Sequence, residues 1–395
     1  MHGKIAARPL LIFNVLMTNS NGACSSLICR EEKAGAYRVG FITLDSPRSL
    51  NALDLNVFEK MEAALLQWRR RGDIACVVLH ANSERAFCAG GDVKALVSGL
   101  QNEPGIQIGV EFFTAEYFVD YLIHVYEKPV LCWADGITMG GGIGIMNGAS
   151  SRVVTERTVM AMPESAIGLF PDVGGTYFLN RLPQSLALFL ALTSARFNGD
   201  DAVAIGMADH WIPSHRKAEA LAGLGMLPWT PDGTRNKQIL WDYLRSFADP
   251  GAARRSELIK RLEILRSLAS YARVEQIDQA LRGWSGDDPW VSRAVAGYLG
   301  ASPTSVRAVF KQITEGKNLS KKAAFLREWD MALNFCAGVD FREGVRARLI
   351  DKDQQPRWNP ATLAELQDSD IERLFSKSHG QADCLGQKFS QHGLS

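Results

Sequence analysis

Two carboxylic acids, Glu164 and Asp172, lie in the stretch from Met162 to Gly175 among proline, glycine and apolar neighbours. A carboxyl group in such surroundings loses hydration, so its pKa rises and it can act as base, acid or nucleophile. The flanking glycines and prolines mark a shaped loop, a common seat for catalytic groups. The competing structural reading is a turn closed by an N-capping acid.

Two glycine loops could supply the partner chemistry. Phe87-Cys88-Ala89-Gly90-Gly91-Asp92 and Met139-Gly140-Gly141-Gly142-Ile143-Gly144 each follow a short apolar run and precede a helical pattern. Helix N-termini present free backbone N–H groups, and glycine lets a ligand approach them closely. Two such groups aimed at one oxygen would form an oxyanion hole; tight strand-to-helix packing is the structural alternative. Cys88 is a candidate nucleophile, though no histidine is placed locally to activate it. Glu116 interrupts the aromatic run Phe112, Phe113, Tyr117, Phe118 and Tyr121, so it faces either solvent or a cavity.

Other chemistries lack their motifs. In a dinucleotide fingerprint Gly142 and Gly144 fit, but Asn147 stands where the third glycine belongs. Neither a P-loop nor a G-x-S-x-G elbow occurs. His80, His124, His210 and His215 lack metalloprotease spacing and read as structural or surface residues. Seven scattered cysteines without a C-x-x-C pair point to reduced thiols inside a cell, not to a disulfide framework or zinc site. A formal charge of +1 offers no field for nucleic acid, and Arg69-Arg70-Arg71 reads as a helix end.

The elements that must position these residues alternate between strand and helix. Tyr37 to Leu44 and Ile74 to His80 read as strands, and so do Pro129 to Ala134, Arg152 to Thr155 and Thr158 to Met162. Leu55, Phe58, Met61, Leu65 and Trp68 recur at helical spacing. Beyond about residue 225 strand signals fade. Ser256 to Ala269 reads as one helix, Ser302-Pro303-Thr304 and Asn318-Leu319-Ser320 as helix starts, and Ala323 to Phe335 as helix. The fold class is α/β with an α-helical C-terminal region. The expected divisions are a poorly ordered extension over 1–34, a core carrying the active site over 35–225, a helical region over 226–375 and a polar, mobile tail over 376–395.

Pro9 to Met17 is apolar but too short to span a bilayer. It could belong to a signal or transit peptide, or the native start could be Met17. No other segment has the length and apolarity of a membrane helix.

The three loops together resemble the crotonase (enoyl-CoA hydratase/isomerase) superfamily, and within it the 3-hydroxyisobutyryl-CoA hydrolases. The likeness rests on Ala86 to Asp92, Gly136 to Gly142 and Ala161 to Gly175. Further matches are Glu343 to Ala347, Leu349 to Asp353 and Pro356-Arg357-Trp358. The resemblance implies a spiral of ββα units. It implies that the N–H groups of Gly91 and Gly141 hold a thioester oxygen of an acyl-CoA, and that Arg48 to Leu53 lies in the CoA-holding segment. It implies that Glu116 contacts the substrate, and that Glu164 and Asp172 are catalytic and touch it too.

Hydratases of this superfamily carry a second glutamate just beyond the glycine turn. Gly144 stands there in this chain and can neither take nor give a proton. Thioester hydrolysis, with a place in valine catabolism, is therefore expected ahead of hydration or isomerisation; a non-catalytic acyl-CoA-binding protein is a further alternative. The expectation includes no metal and no cofactor besides the substrate's own CoA, no nucleic-acid or membrane partner, and scope for homo-oligomers. Bacterial cytoplasm is placed ahead of the mitochondrial matrix as compartment.

Overall fold

The computed structural model describes residues 26–101, 105–378 and 383–394. The apolar and β-branched runs form β1 (Leu27–Ala34), β2 (Tyr37–Leu44), β3 (Ile74–Ala81), β4 (Ala86–Cys88), β5 (Val130–Ala134), β6 (Ile137–Met139), β7 (Ser151–Val154), β8 (Val159–Ala161), β9 (Phe197–Asn198) and β10 (His210–Trp211). They pair into a six-stranded sheet, β1-β2-β3-β5-β7-β10, and a four-stranded sheet, β4-β6-β8-β9. β1 and β9 run antiparallel to their neighbours; the other pairings are parallel. From β3 to β8 consecutive strands thus alternate between the two sheets, as the expected spiral of ββα units requires.

The helices that concern the site are α1 (Leu55–Arg70), α2 (Val93–Leu100), α3 (Ile106–His124), α4 (Gly141–Asn147), α5 (Gly175–Leu179) and α6 (Gln184–Thr193). α1 starts where the Asp54 side chain accepts the Val57 N–H and buries Phe58, Met61, Leu65 and Trp68, as their spacing requires. α3 is buried along nearly its whole length. One apolar core joins α1, β3 and α3 to the C-terminal helices. A second cluster, including Phe41, Val78 and Trp133, lies under Leu240 and Leu244 of the Gly233–Arg245 helix. Past β10 every regular element among the described residues is helical.

The expected N-terminal disorder fails over 27–34. β1 pairs with β2 from Leu27↔Leu44 to Ala34↔Tyr37. Its run of charges misleads because this is an edge strand with much of its length facing solvent. Leu27 and Ala34 are buried, and Glu31 accepts hydrogen bonds from Trp68 and Arg71. Met17 and the rest of 1–25 lie outside the described residues.

The polar tail is also corrected. Cys384–Gln391 is a helix capped by Asp383. Its Leu385 and Phe389 are fully buried, and the Phe389 ring lies 4.4 Å from that of Tyr121 and 6.2 Å from that of Phe118 on α3. Two apolar residues one helical turn apart are enough to dock an otherwise polar segment. The single helix expected over Ser256 to Ala269 divides at Arg261, which pairs with Glu257 and Asp288.

Candidate active site

β4, β6 and β8 lie side by side and parallel, with Cys88 opposite Thr138 and Met139 opposite Ala161. Their C-terminal ends therefore release three loops at one edge, carrying Gly91, Gly141 and Glu164. That edge is where parallel α/β sheets commonly bind ligands.

The glycine loops are pressed together. A Cβ on Gly141 would stand 3.2 Å from the backbone nitrogen of Gly91, and one on Gly142 only 2.4 Å from the Cys88 carbonyl oxygen. Gly90 and Gly140 hold φ of +113° and +50°, conformations that favour glycine. Among the described residues neither the Gly91 nor the Gly141 N–H has an acceptor, and Gly141 opens α4. Leu50 and Leu53 brace the first loop: the Ala89 N–H donates to Leu50 O, the Leu53 N–H to Gly90 O and the Asp92 N–H to Leu53 O. The Asn51 side-chain amide donates to the carbonyls of Ala86 and Phe87. The Arg48 to Leu53 segment thus joins the site through its backbone and Asn51.

Acids converge on these loops. Glu116 reaches over from α3: its Oε1 lies 2.6 Å from where a Cβ on Gly141 would be and 3.4 Å from one on Gly91. Glu164 opens a short 3-10 turn, and its Oε1 lies 2.9 Å from a Cβ placed on Gly140. Asp172 accepts a 2.7 Å hydrogen bond from the Tyr117 hydroxyl. Glu116, Glu164 and Asp172 are only 3%, 4% and 5% exposed, which makes desolvation decisive. Burial raises the Asp172 pKa to about 7 despite the opposing pull of the Tyr117 hydrogen bond. Burial, then the Asp172 charge, pushes Glu164 well above its ordinary range. Glu116 is raised by burial and by Asp172, Asp120 and Glu164. Among the described residues none of these acids has a lysine or arginine partner within salt-bridge distance.

The C-terminal helices hold the Asp172 loop. Glu328, on the Lys321–Ala337 helix, accepts the N–H groups of Gly174 and Thr176 at 2.7 and 2.6 Å. Gln312, on the Pro303–Gly316 helix, donates to the Pro171 carbonyl and the Thr176 hydroxyl at 2.6 and 2.9 Å. Val173 takes φ of +53°, an uncommon conformation for a β-branched residue, with Gly174 at +88° beside it. The structure therefore brings Gly91, Gly141, Glu116, Glu164 and Asp172 together.

Sequence reasoning passed over Tyr117, Asp120, Gln312 and Glu328. A signal existed for Asp120: it stands one helical turn beyond Glu116 in the aromatic run, which puts both acids on one face. Burial lifts the Cys88 thiol to about 12, so it is not a ready nucleophile. His80 and His124 are driven down by burial to about 4 and 3 and stay neutral. Among the described residues no group of three or more acids, histidines or cysteines is arranged to hold a metal ion, and no helix is long and apolar enough to cross a membrane.

The enoyl-CoA hydratase/isomerase family profile matches residues 39–375, and the chain belongs to that family. Among its curated relatives is the mitochondrial 3-hydroxyisobutyryl-CoA hydrolase of Danio rerio, 38% identical over 346 residues, spanning 87% of this chain and 88% of that protein. 3-Hydroxyisobutyryl-CoA hydrolase 1 of Arabidopsis thaliana is 33% identical over 366 residues, 91% of this chain and 94% of that protein. Of the solved structures, a carnitinyl-CoA dehydratase from Mycobacterium thermoresistibile superposes with a TM-score of 0.78 at 30% identity, covering 91% of this chain and all (100%) of that one.

Proposed function

We propose that this chain hydrolyses the thioester of 3-hydroxyisobutyryl-CoA to 3-hydroxyisobutyrate and CoA, a step of valine catabolism. The observation that carries this is the pairing of Glu164 and Asp172 beside two acceptor-free glycine N–H groups, with no carboxylate at Gly144. The names of the relatives at 33% and 38% identity support the reaction and the acyl group.

The thioester oxygen accepts hydrogen bonds from Gly91 and Gly141. Negative charge grows on that oxygen during attack, so fixed donors lower the barrier by about 3 kcal/mol each in comparable sites. Glu164 acts in one of two ways. As general base it takes a proton from water while the water oxygen bonds the acyl carbon. As nucleophile it displaces the thiolate and forms a mixed anhydride that water then opens. In both routes the C–S bond breaks and the CoA sulfur leaves as thiolate or, once protonated, as thiol. Asp172 orients the 3-hydroxyl or assists that proton transfer, and Glu116 contacts the acyl part. Each step is a proton or acyl transfer, so the scheme calls for no metal and no cofactor beyond the CoA of the substrate. The relatives' mitochondrial names support the matrix as compartment, with bacterial cytoplasm the alternative. Homo-oligomers fit the reading without being required by it.

The test is thiol release over a panel of short acyl-CoA esters, with crotonyl-CoA hydration measured beside it. Preference for 3-hydroxyisobutyryl-CoA is expected; hydration without thiol release would overturn the proposal. Glu164→Gln should abolish turnover yet retain CoA-ester binding, and wild-type turnover by that variant would remove Glu164 from the scheme. Single-turnover hydrolysis in ¹⁸O-water, with label sought in the Glu164 carboxylate, separates anhydride from general-base catalysis.

A further inference from the structure

Asp120 is completely buried, and among the described residues neither of its carboxyl oxygens has a hydrogen-bond partner. An ionised carboxylate in that state would cost several kcal/mol or more. It is packed beneath the site: a Cβ on Gly144 would meet its Oδ2 at 2.9 Å and the Val173 Cβ at 2.6 Å. The space that a residue-144 side chain would enter is thus occupied by Asp120 from α3 and by the neighbour of Asp172.

The groups that face Asp120 are nearly all acids. After burial, Asp172 and then Glu328 disfavour its charge most. Glu116, one turn earlier on α3, and the buried Cys88 thiol also feel it. His124, one turn later, is neutral near pH 7. α4 presents no ionisable side chain. Asp172 differs from Asp120 in one respect that decides between them: the Tyr117 hydroxyl donates to it at 2.7 Å. A donated hydrogen bond favours the ionised form, and two neighbouring buried carboxyls cannot readily both ionise.

We propose that Asp120 stays protonated while Asp172 ionises, and that Asp120 is thereby a positioning residue that keeps Asp172 the ionised acid of this cluster. This deepens the hydrolase reading and rests on it for its functional consequence. Loss of the Asp120 proton at alkaline pH adds a second negative charge beside a reaction that builds negative charge on the thioester oxygen. Turnover must then fall. The pair titrates as a unit, so the two steps belong to both residues.

The experiment is a carboxyl ¹³C NMR titration of aspartate-labelled wild-type protein beside Asp120→Asn, with pH profiles of thiol release for both. One aspartate resonance is expected to stay protonated after Asp172 has ionised, far above the ordinary aspartate range. It is the resonance missing from Asp120→Asn, and that variant moves the alkaline limb of kcat upward by about one pH unit or more. Titration of the missing resonance in the ordinary range, or an unmoved alkaline limb, overturns the proposal. If asparagine at 120 prevents folding, the wild-type spectrum decides alone: no aspartate titrating above the one at about 7 overturns it, and a further aspartate still protonated after that one has ionised supports it. The NMR arm uses no substrate, so its outcome is separate from that of the hydrolase assay.

Discussion

Replacing Gly144 by alanine adds one methyl group where the structure leaves no room. That carbon would stand 2.6 Å from the Val173 Cβ and 2.9 Å from the Asp120 Oδ2. Carbon atoms in contact prefer about 3.5–4.0 Å, so roughly 1 Å must be yielded. α4 is buried and sits behind a glycine turn that itself abuts Cys88, so it has little freedom to retreat. Val173 yields instead, and Asp172 is bonded directly to it. Overpacking of this kind costs about 1–3 kcal/mol. If that cost falls on the geometry of Asp172 in the transition state, kcat drops roughly 5- to 150-fold. The two glycine N–H groups are untouched, so KM should change much less than kcat. A melting-temperature loss of a few degrees should accompany the drop. Gly144→Glu meets the same obstruction before its carboxylate is reached, so it should lose hydrolysis without gaining crotonyl-CoA hydration. The assays are thiol release, hydration and thermal melting on the same preparations. Wild-type kcat and melting in Gly144→Ala would refute the argument that packing at this glycine places Asp172.

Tyr117→Phe removes the hydrogen bond that favours ionised Asp172, so the Asp172 pKa should rise above about 7 and the acid limb of the kcat profile should shift to higher pH. An unmoved acid limb would separate Tyr117 from the titration. Glu328→Ala leaves the N–H groups of Gly174 and Thr176 buried without their acceptor, at about 1–3 kcal/mol each. Its melting temperature and kcat should fall together while CoA-ester binding persists; loss of stability alone, with kcat intact, would show that the loop is positioned by other contacts.

How much of this was legible in the sequence depends on the range of the interaction. Strand runs such as Ile74–Ala81 and caps such as Ser302 and Ser320 are local, and the chain states them directly. The glycine loops and the Glu164–Asp172 stretch were visible because composition and order were unusual over a few residues. Glu328 and Gln312 carried no such mark. Each is an ordinary polar residue on a helix, and its role exists only because tertiary packing brings it to a loop far away in the chain. Tyr117 was hidden differently: its ring belongs to the core, as read, while its hydroxyl belongs to the site. At both ends of the chain, average polarity outweighed the few apolar residues that dock, Leu27 and Ala34 in β1 and Leu385 and Phe389 in the last helix.

A cluster of buried acids without cations also governs stability against pH. Folding raises Asp172 from its ordinary value of 3.8, and Glu328 from 4.5, to about 7, in both cases chiefly by burial. Between the unfolded and folded values the native state holds protons that the unfolded chain has released, so stability falls as pH rises through that window. The contribution is fully present below the unfolded pKa values and lost above about 7. Surface acids paired with arginine, such as Asp73 and Glu127, are shifted downward and act the opposite way, but only at lower pH. Between about pH 5 and 7 the buried His80 and His124, which folding lowers from 6.5 to about 4 and 3, also act the opposite way, so the Asp172 contribution is read as the difference between wild type and Asp172→Asn. As pH rises across that window, the melting temperature of Asp172→Asn, which cannot ionise at 172, should rise relative to that of the wild-type protein. An identical slope in wild type and variant would contradict the assignment of that proton to Asp172. The same proton count links the two properties: pH values that ionise Asp172 for catalysis are those at which the fold gives up part of its stability.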